Sequence, residues 1–189
     1  GSIQYGGREM AGMTDAERCG VVGYLGHDPE LLSDSIRNNI LLGRDDDAWK
    51  YLRAVCLEDE VKAMPNGLDT DMGQGGVNVS GGQKQRLCIA RTLLKHPKVL
   101  IFDDSTSAVD TATEGKIRHA LAALTDVTKL IIAQRITSVM DADMIVILDD
   151  GKVHAVGTHK ELLANDTIYQ EIYASQMKGD DADGKGIQR

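Results

Sequence analysis

Residues 79–110 constrain the fold more than any other stretch of this 189-residue chain. The stretch opens with Ser80, Gly81, Gly82 and Gln83, whose two glycines allow a ligand to approach the backbone closely. Ser80 is a favourable N-cap, and the N–H groups at a helix N-terminus attract anions. Alone, the four residues are equally typical of a glycine turn before a helix. The apolar positions that follow at helical spacing are Leu87, Ile89, Ala90, Leu93 and Leu94.

An apolar run in the same stretch predicts a strand. Residues 99–102 are four consecutive apolar residues, so we expect a strand that is buried on both faces. Asp103 and Asp104 follow at its carboxyl end, where ligands bind in α/β sheets. Two carboxylates there suit a hydrated Mg²⁺ and an attacking water. An acidic strand end can also simply cap the next turn.

The composition excludes several classes of protein. The length suffices for one domain with its own core, and because 42% of the residues are hydrophobic but only 4% aromatic, that core must be aliphatic. A net charge of −8 argues against a nucleic-acid-binding surface. No apolar run approaches the ~18 residues of a membrane-spanning helix. The scattered Cys19, Cys56 and Cys88 are typical of reduced cytosolic thiols.

The order and spacing of these motifs resemble the nucleotide-binding domain of exporter-type ATP-binding cassette (ABC) transporters. In that resemblance residues 79–83 are the signature loop, Asp103 ends the Walker B strand and binds the metal, and residues 107–110 form the D-loop. The ending at residues 157–163, GTHKELL, is also common in exporters. The resemblance implies an α/β fold, with a P-loop NTPase (RecA-like) core, a mostly parallel sheet and an ABC helical subdomain. It implies ATP and Mg²⁺ as cofactors.

The phosphate-binding loop of this family has no counterpart in the chain. Such a loop reads G-x-x-x-x-G-K-[ST] and follows a strand. The nearest match, residues 179–186, lacks the Ser or Thr, follows no expected strand and contains three Asp. Because the chain also begins at Gly1 rather than Met, we interpret it as an N-terminally truncated fragment without Walker A.

The resemblance divides the chain into four segments. Residues 1–26 would be a remnant of the N-terminal core and β subdomain, and residues 27–95 the helical subdomain from the Q-loop to the signature helix. Residues 96–177 would be the RecA-like core with Walker B, D-loop and switch. The polar residues 178–189 are expected to be a disordered tail. Within these segments, periodicity predicts helices over residues 45–61 and 111–124, strands over 21–25 and 129–133, and a hairpin of 144–148 with 153–157.

Three positions depart from the catalytic pattern of the family. Asp104 stands where the family has a catalytic Glu, and a shift of ~1 Å in a catalytic group can cost about 10²-fold in rate. Gln134 replaces the switch His and cannot carry a positive charge. His27 replaces the Q-loop Gln, and imidazole is a poor ligand for Mg²⁺.

These departures resemble the degenerate-site subunit of a heterodimeric exporter. In the family two cassettes face head to tail, and each ATP lies between the Walker motifs of one and the signature of the other. The implied partners are a transmembrane domain, expected upstream in the same chain, and a sister ABC subunit, at the cytoplasmic face of the cell membrane. The implied site residues are Asp104 and Gln134 for catalysis, Ser80, Gly81, Gly82, Gln83, His27 and Asp110 for nucleotide binding, and Asp103 for the metal.

Two other interpretations remain open at this point. One is a nucleotide-dependent regulatory subunit with little or no hydrolysis of its own. The other is an ABC ATPase of chromosome maintenance or DNA repair, which is disfavoured because the chain contains no heptad run.

Overall fold

The computed structural model describes residues 1–26, 28, 30–103 and 111–183, with only the backbone described at 111–113, 120 and 178–183. Its chain folds into two compact units, of which the first ends at Ile132 and the second begins at Ala133. The helices are α1 Asp15–Val21, α2 Ile36–Leu41, α3 Ala48–Ala54, α4 Glu58–Lys62, α5 Gly81–Leu93, α6 Thr111–Ala122, α7 His159–Asn165 and α8 Thr167–Asp183. The strands are β1 Gln4–Tyr5, β2 Arg8–Glu9, β3 Val22–Leu25, β4 Val99–Asp103, β5 Thr128–Ile132, β6 Ile145–Asp149 and β7 Lys152–Gly157.

A parallel sheet of three strands, in the order β3-β4-β5, forms the centre of the first unit. Leu25 pairs with Phe102, and Phe102 pairs with Ile131, so the three strands run in the same direction. Asp103, the last residue of β4, pairs with Ile132, the last residue of β5. The sheet confirms the predicted α/β class, and it brings the carboxyl ends of β4 and β5 to one edge.

One face of this sheet is largely buried and the other is more exposed, which corrects the prediction for β4. On the buried face Leu100 and Phe102 are 1% and 3% exposed. On the other face Tyr24, Leu130 and Ile132 remain about half exposed, at 59%, 51% and 48%. The prediction that residues 99–102 form a strand buried on both faces is therefore wrong for the described chain, because Val99 and Ile101 on the second face are only partly buried. The register aligns the exposed apolar residues across neighbouring strands, so they form one continuous apolar surface.

The helix α5 supplies much of the core of the first unit. Its residues 85–90 are all buried, and they pack with side chains of α2, α3 and the sheet. The apolar positions predicted for this helix are confirmed: Leu87, Ile89, Ala90, Leu93 and Leu94 are all buried.

The single helix predicted over residues 45–61 is instead two helices, α3 and α4. Between them Cys56 adopts a left-handed backbone conformation, with φ of 52°. In an unbroken helix Leu57 would point about 180° away from Ala48, because nine residues at about 100° each make two and a half turns. The break allows Ala48 and Leu57 to be buried together, at 1% and 0% exposure.

The helix α1 was not predicted, although its start carries a recognisable signal. Thr14 and Glu17 form a capping box, in which Thr14 Oγ1 accepts a hydrogen bond from Glu17 N and the Glu17 carboxylate accepts one from Thr14 N. The pattern S/T-x-x-E before a helix is the sequence signature of this motif.

The second unit contains the predicted hairpin. The strands β6 and β7 pair antiparallel from Ile145–Gly157 to Asp149–Lys152. Its core consists of Ile136, Ile145, Leu162 and Tyr169. The helix α8 continues to Asp183, so residues 178–183, which were expected to belong to a disordered tail, are helical. Residues 184–189 lie outside the described chain.

The division into compact units falls within the predicted segment 96–177, and the finer four-part division stays a prediction. In the parts of the chain that the structure describes, no helix has both the length and the apolar character needed to cross a bilayer.

Replacement of Asn39 should destabilise the first unit. This buried side chain, 1% exposed, accepts a hydrogen bond from Leu32 N and donates to the carbonyls of Leu32, Asp34 and Ser35. Asn39→Ala should lower the free energy of unfolding by about 1–3 kcal/mol, because it leaves buried backbone groups without partners. Urea titration measures the change, and the exposed Asn38→Ala is the control. Equal losses in the two variants would contradict the prediction.

Glu17 should make stability depend on pH. Its hydrogen bonds with the Thr14 backbone and with Arg8 lower its pKa from 4.5 to about 2. Since the folded-state pKa is depressed, its contribution is complete above the unfolded-state value and is lost as the pH falls toward 2.

The variant Glu17→Gln should therefore melt below the wild type at neutral pH, and the gap should narrow as the pH falls below about 4.5. Thermal melts across that range test this, with Asp15→Asn as a control for removing one charge from α1. A gap that stays constant with pH would refute the role of Glu17.

Candidate functional site

The N-terminus of α5 is built by a reciprocal pair of hydrogen bonds. Ser80 Oγ accepts from Gln83 N at 3.2 Å, and Gln83 Oε1 accepts from Ser80 N at 2.9 Å. The predicted N-cap is confirmed. Helical geometry gives the N–H groups of Gly81 and Gly82 no acceptor within the helix, so they can bind an anion together with the positive end of the helix dipole. Ser80 and Gly81 are exposed, which leaves this terminus accessible.

The loop before Ser80 is tied to the loop before α2. Met72 N donates to Asp34 O at 3.0 Å, and Asn78 N donates to Met72 O at 3.3 Å. Gly76 lies in the left-handed region at φ +80°, and a Cβ there would stand 3.1 Å from Leu31 Cδ1. The backbone conformation therefore favours glycine at this position, and a side chain there would also have to displace Leu31 slightly.

Asp103 lies at the carboxyl end of β4, where the sequence predicts a metal ligand. Its Oδ2 accepts a hydrogen bond from Tyr24 OH at 3.1 Å, and this bond raises the pKa of Tyr24. Mg²⁺ commonly takes one or two carboxylates and fills its remaining positions with water and substrate phosphates. A single carboxylate at a strand end fits that chemistry. Over the described ranges, no cluster of three or more His, Cys, Asp or Glu forms a metal site from protein ligands alone.

Asp28 and Glu30 both contact α5. Lys84 Nζ lies 3.8 Å from Asp28 Oδ1, and Arg91 Nη2 donates to Glu30 O at 2.6 Å. The thiol of Cys88 lies 3.6 Å from the same carbonyl, and burial raises its pKa. These contacts join Asp28 and Glu30 to the helix that carries Gly81 and Gly82.

Gln134 lies in the second unit, in a bend between β5 and the 3₁₀ turn Ile136–Ser138. The side-chain amide of Gln176, in α8, holds the backbone on both sides of this bend. Its Nε2 donates to Gln134 O at 2.9 Å, and its Oε1 accepts from Ile136 N at 2.8 Å.

The remaining predicted site residues, His27, Asp104 and Asp110, lie outside the described residues. Ser80, Gly81, Gly82 and Gln83 are together in one helical turn, and Asp103 lies in the same unit.

Sequence reasoning missed several residues whose side chains contact the predicted ones. They are Tyr24, Gln176, Arg86, which donates to Gly82 O, and Glu60, whose carboxylate accepts a hydrogen bond from Gln83. Strand alternation would place Tyr24 on the face of Asp103 only if the register were already known. No pattern in the sequence points to the other three.

The comparisons with known proteins agree with this geometry. The model of the family described as ABC transporter matches residues 1–107. The chain is 43% identical over 160 residues to YfiB of Bacillus subtilis, described as an uncharacterised ABC transporter ATP-binding protein. This match covers 82% of this chain and 28% of that protein. It is 41% identical over 160 residues to a putative multidrug export ATP-binding/permease protein of Staphylococcus aureus, with the same shares covered.

A solved structure of a bacterial Atm1-family ABC exporter with ATP bound is 36% identical, with a TM-score of 0.86 over 94% of this chain and 32% of that one. The chain thus spans about a third or less of the length of these relatives. The family match, the identities and the shared fold establish that this chain belongs to the ABC transporter family and has its α/β P-loop NTPase fold.

Proposed function

We propose that the chain is part of an ATP-binding cassette that couples ATP binding and hydrolysis to export of a substrate across a membrane. The observation that carries the proposal is the capped, exposed N-terminus of α5 at the position of the family signature, a geometry that favours binding of an anion by Ser80 and the two glycines. The relative with export in its description and the solved exporter with ATP bound support the same function.

The proposed chemistry assigns a distinct role to each residue. Ser80 Oγ and the N–H groups of Gly81 and Gly82 would bind the terminal phosphate of an ATP whose other contacts come from a second cassette. At a different ATP, on the Walker B side of this chain, Asp103 would hold Mg²⁺, which neutralises charge on phosphate oxygens when bound. Asp104 would accept a proton from the water that attacks the terminal phosphorus. Gln134 would hydrogen-bond a phosphate oxygen without adding a positive charge.

The proposal includes an asymmetric pair of cassettes. Asp104, Gln134 and His27 replace the expected Glu, His and Gln, whereas Ser80, Gly81, Gly82 and Gln83 keep the signature. We propose that the signature of this chain completes a competent site on a sister subunit, and that its own Walker B side hydrolyses ATP slowly. His27 and Asp110 would contact the nucleotide from the Q-loop and the D-loop.

The full protein would contain or join a transmembrane domain at the cytoplasmic face of the membrane. The small share of the relatives that this chain covers, and the word permease in the description of one of them, support such a domain.

The altered residues at positions 104 and 134 also support a second candidate, a nucleotide-binding regulatory subunit without turnover of its own. The double substitution Asp104→Glu with Gln134→His in the full-length protein distinguishes the two candidates. If the chain is a motor half with a tuned site, steady-state ATP turnover should rise about tenfold or more, since the catalytic base regains its reach. Asp15→Glu with Gln4→His makes the same chemical changes at exposed positions and is the control. Unchanged turnover would support the regulatory subunit.

Ser80→Ala should impair turnover beyond its effect on stability. Loss of the N-cap should cost about 0.5–2 kcal/mol of folding free energy. A lost hydrogen bond to a charged phosphate should lower kcat/KM for ATP by about 10- to 100-fold in the complex with the sister subunit, equivalent to about 1.5–3 kcal/mol.

Thr158→Ala removes the same type of capping box from α7 and is the matched control for Ser80→Ala. If the two substitutions changed turnover equally, the assignment of Ser80 to phosphate binding would be wrong.

A further inference from the structure

The carboxylate of Glu60 connects three helices of the first unit. Its Oε1 lies 2.8 Å from Arg86 Nη1, and its Oε2 lies 3.0 Å from Arg86 Nη2, so α4 and α5 are joined by a two-pronged ion pair. Lys116 of α6 approaches the same carboxylate, with Nζ 3.6 Å from Oε1. We name Glu60, Gln83, Arg86 and Lys116 the Glu60 cluster.

Arg86 is the buried member of the cluster, with its side chain 3% exposed. Besides Glu60 it binds two carbonyl groups: Nη1 donates to Cys56 O at 2.8 Å, and Nε donates to Gly82 O at 3.3 Å. The left-handed conformation of Cys56 thus presents its carbonyl to this guanidinium. Because a buried charge must be paired and hydrogen-bonded, Arg86 requires Glu60 at this position.

Gln83 connects Glu60 to the first turn of α5. Its Nε2 donates to Glu60 Oε2 at 3.1 Å, while its Oε1 accepts from Ser80 N at 2.9 Å. The two ends of one planar amide therefore fix Ser80 relative to Glu60. Partial burial raises the pKa of Glu60, but the hydrogen bonds from Arg86 and Gln83 outweigh burial and lower the pKa below its usual value. Glu60 is thus charged at neutral pH and remains an acceptor for both partners.

We infer that Glu60 is a positioning residue that holds Ser80, Gly81 and Gly82 in their phosphate-binding geometry and links them to α6. The inference rests on the proposed function of those residues as a phosphate site. The link to α6 follows from Lys116, because α6 begins directly after the D-loop segment that ends at Asp110. A displacement of α6 would therefore move the Glu60 carboxylate and, with it, the first turn of α5.

Glu60→Gln in the full-length protein tests the inference, with Glu58→Gln as the matched control. Glu58 lies in the same helix and pairs only with the exposed side chains of Arg53 and Lys62 among the described residues. Hydrogen exchange without nucleotide should show amides 80–86 exchanging about tenfold faster in Glu60→Gln and unchanged in Glu58→Gln. With the sister subunit present, kcat/KM for ATP should fall about tenfold or more in Glu60→Gln and less than about twofold in Glu58→Gln. Equal exchange and equal turnover in the two variants would overturn the inference.

Glu60→Asp keeps the charge and should recover part of both losses. A variant that unfolds other parts of the chain as well would exchange faster outside residues 80–86, and that pattern would assign Glu60 a general structural role instead.

Lys116→Met tests the link to α6 and leaves the buried ion pair intact. Because the Lys116 side chain is 54% exposed, we expect this variant to fold. Introduced alone, it should lower ATP turnover by up to about threefold, as expected for the loss of one exposed ion pair. Added to Glu60→Gln, it should cause no further loss of turnover. The link would be contradicted if Lys116→Met alone left turnover unchanged, or if the losses of turnover in the two single variants added up in the double variant.

Failure of the proposed function is distinguishable from failure of this inference. If the wild-type complex neither binds nor hydrolyses ATP, the phosphate site is refuted, whereas the exchange measurement without nucleotide still decides whether Glu60 fixes the first turn of α5.

Discussion

The structure of the first unit depends on α5 being buried along its middle while its first turn stays at the surface. Residues 85–90 pass through the core, yet they include Arg86, whose charge cannot be left unpaired there. The ion pair with Glu60 meets this requirement, and the hydrogen bond of Gln83 to the same carboxylate extends the order to Ser80. The same carboxylate therefore binds the buried middle of α5 and its exposed first turn.

The sheet positions Asp103, which the proposal assigns to the Walker B side of this chain and not to the site that α5 completes on a second cassette. The parallel arrangement brings the ends of β4 and β5 together at Asp103 and Ile132, and the chain continues from Ile132 toward Gln134. The apolar face with Tyr24 and Leu130 remains exposed in the described chain, which accords with a chain that spans only part of its relatives. Exposed apolar patches of this kind mark surfaces that another segment or partner covers.

The sequence was most informative where local signals and periodicity agree. The glycines after Ser80 and the apolar spacing predicted the start and the buried face of α5, and the turn at residues 149–152 between two strand segments predicted the hairpin of β6 and β7. It was least informative where contacts distant along the chain decide the outcome. The break at Cys56 depends on burial of Leu57 and on Arg86, thirty residues later in the sequence. The role of Glu60 likewise depends on how α4 packs against α5, which no local pattern encodes.

The two hydrogen bonds from Gln176 have a mechanical consequence for the bend at Gln134. A single rigid amide binds the carbonyl of Gln134 and the N–H of Ile136, so a shift of α8 by about an ångström would stretch both bonds beyond hydrogen-bonding distance. The position of α8 therefore constrains the main chain on both sides of Gln134.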